Sequence, residues 1–254
     1  MKISIITVTY NSENFIENCV CSVLNQTYKN VEYIVIDGKS SDNTLNKLKK
    51  YSKNISKIVS EKDHGTYEAM NKGVKLAKGE IVGLLNSDDF YASNEVLSRV
   101  ASIFKSNPSI DACYADLSYI DQIDTSRVIR YWKSSKFVLG SFSRGWCPPH
   151  PTFFVRRSVY EKFGKFNLNY SIASDVELMM RFLEVYKIKT YHVPELWVKM
   201  RVGGSSNKNF KSILSQNLDV LNALRDHNLP VNVLSFFIHK IFARGKQFFQ
   251  KPNN

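Results

Sequence analysis

The run Ile81-Val82-Gly83-Leu84-Leu85 stops at Asn86-Ser87-Asp88-Asp89 with nothing between. Five apolar residues, bounded by Gly79 and by that polar tetrad, fit a strand buried on both faces. Such a strand belongs in a parallel sheet covered by helices on both sides. Open α/β sheets gather ligands at the carboxyl ends of their strands, so two adjacent carboxylates arrive where chemistry is expected. Adjacent carboxylates raise each other's pKa unless positive charge stands beside them. A hard divalent cation, its shell completed by phosphate, would supply that charge. A solvated Asp-Asp turn is the plainer reading.

The preceding residues alternate as a parallel sheet requires. Lys2 to Thr9 reads as a β-branched strand, followed by a helix from Ser12, as N-cap, to Gln26. Val31 to Ile36 is a second strand ending in Asp37-Gly38, and Ser41-Asp42 cap a short helix to Lys50. Ile55 to Ser60 is a third strand, and Thr66 to Lys78 a helix stopped by Gly79. The turn after the first strand, Tyr10-Asn11-Ser12-Glu13, has no glycine, so a dinucleotide fingerprint is absent; so is a P-loop. The strand ends offer instead Tyr10, Asp37 and Asp88. A ring can stack on a base, one carboxylate can accept from a base N–H or a ribose hydroxyl, and another can hold a metal bridging two phosphates.

The 254 residues suffice for one large domain with an appendage, and the net charge is +12. That excess suits nucleotide phosphates, an anionic membrane or nucleic acid. The four cysteines match no zinc or CxxC spacing and read as reduced packing thiols. No stretch is apolar enough to span a bilayer, and the N-terminal residues look like a core strand rather than a signal peptide. We therefore expect a cytoplasmic protein, peripheral on the inner face of the plasma membrane if its tail binds lipid.

With these residues assembled, the chain resembles glycosyltransferase family 2, whose fold is called GT-A. The matching segments are Ile5 to Asn11, Glu32 to Gly38 with Ser41 to Thr44, Glu61 to Gly73, and Leu84 to Asp89. Beyond them the match continues in islands to about Ser205. The resemblance implies a mixed central sheet with helices on both faces, a nucleotide-sugar donor (UDP-, GDP- or dTDP-linked), a divalent ion (Mn2+ or Mg2+) and inversion at the anomeric carbon. By position it implies donor contacts from Val8, Tyr10, Asp37, Asp63, Asn71, Lys72, Asn86 and Ser87, with Asp88 on the metal. Asn86 stands where the family often has Asp, which removes one negative charge. Asp89 is either a second ligand or a neighbour that orients Asp88. Lys72 is the cation expected to face phosphate; its alternative is a solvated helix lysine.

In the second half, Ala112 to Ile120 and Arg127 to Trp132 read as a hairpin. Gly145 to Pro151 holds three prolines and forms a stiff loop bearing Trp146 and His150, before a strand-like Thr152 to Val155. His150 either faces the cleft, on acceptor or diphosphate, or bonds to backbone. Trp146 is either a sugar platform or a cap on the core. A helix opens at Ala173-Ser174-Asp175, with Ser174 as a plausible N-cap and Asp175 at its start, where an ionised carboxylate is favoured. Inverting transfer needs one carboxylate to take the acceptor's proton. The family's base position aligns with Asp175; Ser174 departs from the family's usual Glu, and Glu177 is the rival base. Ile188 to Val193 is a further strand. Arg201 to Ser206 resembles the family's Arg-x-Gly-Gly-x-Ser loop, in which Arg201 would meet the diphosphate.

We expect a GT-A domain over residues 1–206, donor-binding over 1–110 and acceptor-binding over 111–206. A basic helical extension is expected over 207–254. In that extension Val233, Leu234, Phe236, Phe237, Ile238, Ile241, Phe242, Phe248 and Phe249 alternate with His239, Lys240, Arg244, Lys246 and Lys251, either lying on an anionic surface or packing apolar side inward. The acceptor implied is a glycan, carried on a polyprenyl lipid, in surface polysaccharide assembly. A sugar nucleotidyltransferase would need a Gly-rich, Arg-bearing loop after the first strand. A non-enzymatic basic protein on membrane or nucleic acid must contend with the acidic strand ends, so no nucleic acid partner is expected.

Overall fold

The computed structural model describes residues 1–203 and 210–250. A nine-stranded mixed sheet runs through it in the order β3-β2-β1-β4-β8-β6-β9-β5, with β7 on β6. Its first half is the expected alternation. Strands β1 (Ile3–Thr9), β2 (Val31–Asp37), β3 (Lys57–Ser60) and β4 (Ile81–Leu84) are parallel. Between them come α1 (Ile16–Leu24), α2 (Thr44–Lys49) and α3 (Thr66–Leu76). Every residue of β1 and β4 is buried, as a two-sided strand requires. Alternate side chains of β1 go to opposite faces. Ile3 and Ile5 join α1 and α4 (Val96–Ser106), while Ile6 and Val8 join α3, α6 (Ser174–Met180) and α7 (Phe210–Asp226).

The remaining strands close the sheet in mixed sense. The expected hairpin is β6 (Ala112–Ile120) with β7 (Val128–Trp132). β8 (Phe154–Arg156), just before α5 (Arg157–Phe163), lies antiparallel between β4 and β6. β9 (Thr190–Arg201) runs parallel to β6 and pairs with β5 (Phe90–Tyr91).

Several expectations are corrected. The strand expected to end at Val193 continues to Arg201, because a register irregularity between Tyr114 and Asp116 carries Pro194 past the ladder that it cannot join as a donor. Helix α1 starts at Ile16, since the residues from Ser12 first form a turn whose carbonyl at Ser12 accepts from Phe15 and Ile16. Ser174 gives its hydroxyl to the Asn167 carbonyl and caps nothing. The loop of prolines ends in one 3-10 turn, His150–Thr152.

The segment from 207, read above as an extension, enters the core with Val220, Leu221 and Leu224 of α7 and Phe236 of α8 (Val233–Lys246). Helix α8 reaches the body at Gly145, which has φ +73; a Cβ there would stand 3.0 Å from Lys240 Cβ and 3.2 Å from the Phe236 carbonyl. All four cysteines are unpaired thiols, and burial pushes Cys19 and Cys147 up to about 12.

Candidate active site

The parallel strands deliver their carboxyl ends to one edge. Thr9 pairs with Asp37, so Tyr10 follows beside Gly38, its ring 64 % exposed. Asn11, at φ 49, ties the two ends together: its N–H donates to Ser40 Oγ at 2.8 Å and its Oδ1 accepts from the Ser41 N–H at 2.9 Å. Asp37 is fully buried, and its carboxylate accepts from the Ser40 N–H, the Ser40 hydroxyl and the Ser60 hydroxyl. It thereby shapes the loop behind Tyr10. A Cβ on Gly38 would stand 3.4 Å from both Tyr10 Cδ2 and Asp63 Oδ2, so these residues wall one recess. Asp63 Oδ2 is buried with no hydrogen-bond donor among the described residues. Val8 puts its side chain into the core.

Lys72 is not a free phosphate ligand. Its ammonium lies 2.5 Å from Asp63, 2.9 Å from Glu61 and 3.8 Å from Glu68, and the first two hold its pKa above the ordinary lysine range. Asn71 is likewise occupied: its amide donates to the Phe166 carbonyl and accepts from the Phe166 N–H, both at 2.9 Å. It is a clip between α3 and the segment before α6.

The acidic turn after β4 is organised from below. Ser87 is buried, with its hydroxyl 2.8 Å from that of Ser12. Asp89 is 1 % exposed and points inward; burial first, and Asp88 next, hold its pKa well above the usual carboxylate range, against a hydrogen bond from Asn86. Arg201 lies at the end of β9 and is itself buried, between the rings of Phe15 and Phe90 at 5.1 and 5.0 Å. Its guanidinium donates to the carbonyls of Asp88 (2.6 Å) and Gln122 (3.2 Å). Arg201 thus lies as a buried counter-charge beneath the acidic turn. The expected loop residues Gly204 to Ser206 lie outside the described residues.

Asp88 is different. No side chain among the described residues donates to its carboxylate, and burial raises its pKa, with Arg201 opposing. A half-desolvated carboxylate of this kind suits a hard cation. Among the described residues no three His, Cys, Asp or Glu side chains stand together as a metal cage. An ion held at Asp88 would therefore have to take most of its ligands from phosphate and water.

A cavity of about 510 Å³ opens beside this turn, lined by Asn86, Trp146, His150 and Asp175 among others. Asp175 is half-buried in the first turn of α6, and its Oδ1 lies 2.9 Å from the hydroxyl of Tyr67, which also reaches the Ile172 carbonyl at 2.6 Å. His150 is buried edge-on to Phe166, with no partner for Nε2 among the described residues; burial lowers its pKa, with Asp175 opposing, so the ring is neutral at neutral pH. Trp146 packs on Phe142 and Phe137, donates from Nε1 to Ser135 at 3.0 Å, and still faces the cavity. It is both core cap and cavity wall. Glu177, the rival base, is withdrawn from that role. It is 1 % exposed, ion-paired with Arg181 at 2.8 Å and 2.8 Å from His227 Nε2; burial raises its pKa, but these bonds outweigh burial and lower it overall.

Sequence reasoning did not single out Tyr67 or Arg130, and it read Lys240 only as part of the basic pattern of the C-terminal helix. Tyr67 lay inside a quoted segment, but its link to Asp175 spans 108 positions. Arg130 and Lys240 also line the cavity.

A profile of glycosyl transferase family 2 matches residues 4–164. A PGL/p-HBAD biosynthesis glycosyltransferase of Mycobacterium bovis is 32% identical over 182 residues, covering 70% of this chain and 68% of that protein. An uncharacterized glycosyltransferase of Rickettsia typhi is 29% identical over 217 residues, covering 82% and 66%. Among solved structures, S. aureus TarS 1-349 matches 95% of this chain and 72% of its own with a TM-score of 0.65 at 18% identity. The mannosyltransferase PcManGT from Pyrobaculum calidifontis, solved with GDP-Man and Mn2+, matches 95% and 68% with a TM-score of 0.65 at 17% identity. The sheet order, the acidic strand end and these likenesses converge: the chain has the GT-A fold and belongs to glycosyltransferase family 2.

Proposed function

We propose that this glycosyltransferase is inverting and metal-dependent, moving a sugar from a nucleoside diphosphate to a hydroxyl of a lipid-linked glycan in surface polysaccharide assembly. The observation that carries the reading is that Asp175 and Asn86, from opposite halves of the chain, line one cavity beside the acidic turn. Related folds were solved with UDP-GlcNAc and with GDP-Man and Mn2+, which supports a nucleotide-sugar donor. In this reading the Tyr10 ring stacks on the base, and the unpartnered Asp63 Oδ2 accepts from base or ribose. Asp88 and Asn86 would hold a manganese or magnesium ion together with the diphosphate. That ion supplies charge stabilisation for the leaving group.

Asp175 takes the proton of the acceptor hydroxyl as its oxygen bonds to the anomeric carbon from the face opposite the diphosphate. The bond from that carbon to the phosphoryl oxygen breaks, and the nucleoside diphosphate leaves with the electron pair. Tyr67 holds the carboxylate in place. Neutral His150 can bond to the acceptor without adding charge to the site.

No helix of the described residues is long and apolar enough to cross a membrane. Exposed Leu234, Ile238, Ile241 and Phe242 on α8 support contact with a bilayer surface instead.

Calorimetry against a panel of UDP-, GDP- and dTDP-sugars, with and without manganese, tests the donor site. Metal-dependent binding of one of them by the wild type, lost in Asp88→Ala, is expected. If none binds under either condition, the reading fails.

A further inference from the structure

Helix α8 is turned the unusual way round. An amphipathic helix on a globular body ordinarily faces apolar residues inward and cations outward. Past Phe236, which is fully buried, Lys240, Arg244 and Gln247 follow at helical spacing along the cavity wall, while Ile241 and Phe242 are each 69 % exposed. Lys240 Nζ is held by Asn217 Oδ1 at 2.7 Å. Arg130 of β7 lines the same cavity, 8 % exposed, with its guanidinium 3.8 Å above the Tyr119 ring.

The cavity is therefore cationic. Its lining carries Arg130, Lys133, Lys240, Arg244 and Lys246, against Asp175 as the sole acid among the described residues. No carboxylate among the described residues is ion-paired with Arg130 or Lys240. Burial, and then repulsion from the Arg244 charge, depress the pKa of both. Burying cations without anions costs free energy. A neutral sugar would need only the aromatic and hydroxyl walls. Two arginines and a lysine lining one cavity match the oxygens of a phosphoryl group.

We infer that this cavity holds a phosphoryl-binding subsite, formed by Arg130, Lys240 and Arg244 with exposed Lys133 at its rim, for an anionic group carried by the acceptor. That the ligand is the acceptor rests on the transferase reading; the binding itself does not. Asp175 stands on the same cavity, so a phosphoryl group held at α8 leaves the attached sugar beside Trp146 and the base.

The test is titration with inorganic diphosphate in EDTA, read by fluorescence of Trp132 and Trp146, which line the cavity. Saturable binding is expected, unchanged in Asp88→Ala and weakened about tenfold or more in Lys240→Gln and in Arg130→Gln, the worth of one charge-assisted contact. Exposed Lys133 provides a variant that does not threaten the fold, and Lys133→Gln should weaken binding by a smaller factor. Absence of saturable binding overturns the inference. So does binding lost in Asp88→Ala, or binding unchanged in Lys240→Gln and Arg130→Gln that melt like wild type. If both inner variants unfold, unchanged affinity in Lys133→Gln overturns it. Geranyl diphosphate binding more tightly than inorganic diphosphate would support the subsite and assign the group to a lipid carrier. Tighter glucose 1-phosphate would support it and assign the group to a soluble glycan. Nucleotide-sugar binding with manganese is measured on the same samples. Its absence beside intact diphosphate binding refutes the transferase reading alone, and the reverse refutes the subsite alone.

Discussion

Asp175 and Glu177 lie two positions apart at the start of α6, and their surroundings give them different work. Asp175 keeps one edge toward the cavity and is steadied by Tyr67. Asp175→Asn should lower turnover by about 10²–10⁴-fold, the usual worth of a general base, while leaving nucleotide-sugar affinity within error in calorimetry. Glu177 is sealed between Arg181 and His227. Its folded pKa lies below its unfolded value, so its stabilisation is full above about pH 4.5 and fades as pH falls through the folded pKa. Glu177→Gln should therefore cost about 3 kcal/mol in urea unfolding at pH 7, with the gap to wild type closing in acid. The candidate base was legible because its position relative to an apolar helix face could be counted. The surroundings of Lys72 and Arg201 were not legible, because a sequence gives a charge but not its partners. One is ringed by three carboxylates, and the other is sandwiched between rings contributed by Phe15 and Phe90.

Helix α3 packs on β1 through Gly73, where an added Cβ would stand 2.3 Å from Ile6 Cγ2. Alanine at a helical glycine gains about 1 kcal/mol in propensity. Overpacking against a β-branched side chain with no free rotamer costs about 1–3 kcal/mol. Gly73→Ala should thus lower the melting temperature despite its better propensity, as calorimetric unfolding would show. Long elements with a clear period, such as α1, α3 and β6, could be read directly. The two-residue strand β5 offers no period to read, and β9 hides behind Pro194. The orientation of α8 was not legible either. Its pattern fits either face inward, and the choice is made by Gly145, which admits the helix at Lys240, and by Asn217, which receives the ammonium.

Over the whole molecule, the +12 charge is not spread evenly in its effect. Part of it lines the inside of one cavity, and the apolar residues displaced from there face outward on α8. Vesicle co-sedimentation should therefore depend on apolar contact as much as on lipid charge. Phe242→Ser should reduce binding to anionic vesicles even at high salt, where attraction between surface charges is screened. The fold class was legible because strand ends and helix faces recur in a fixed order along the first ninety residues. How the two halves meet was not, since that depends on contacts between residues a hundred positions apart. Helix α3 makes those contacts: Asn71 grips the backbone at Phe166, and Tyr67 grips Ile172 and Asp175. The same helix begins three residues after Asp63, in the recess beside Tyr10. One rigid strut thus ends in both half-sites. By reciprocity, a ligand in the recess that moves that strut also moves the hydroxyl that holds Asp175.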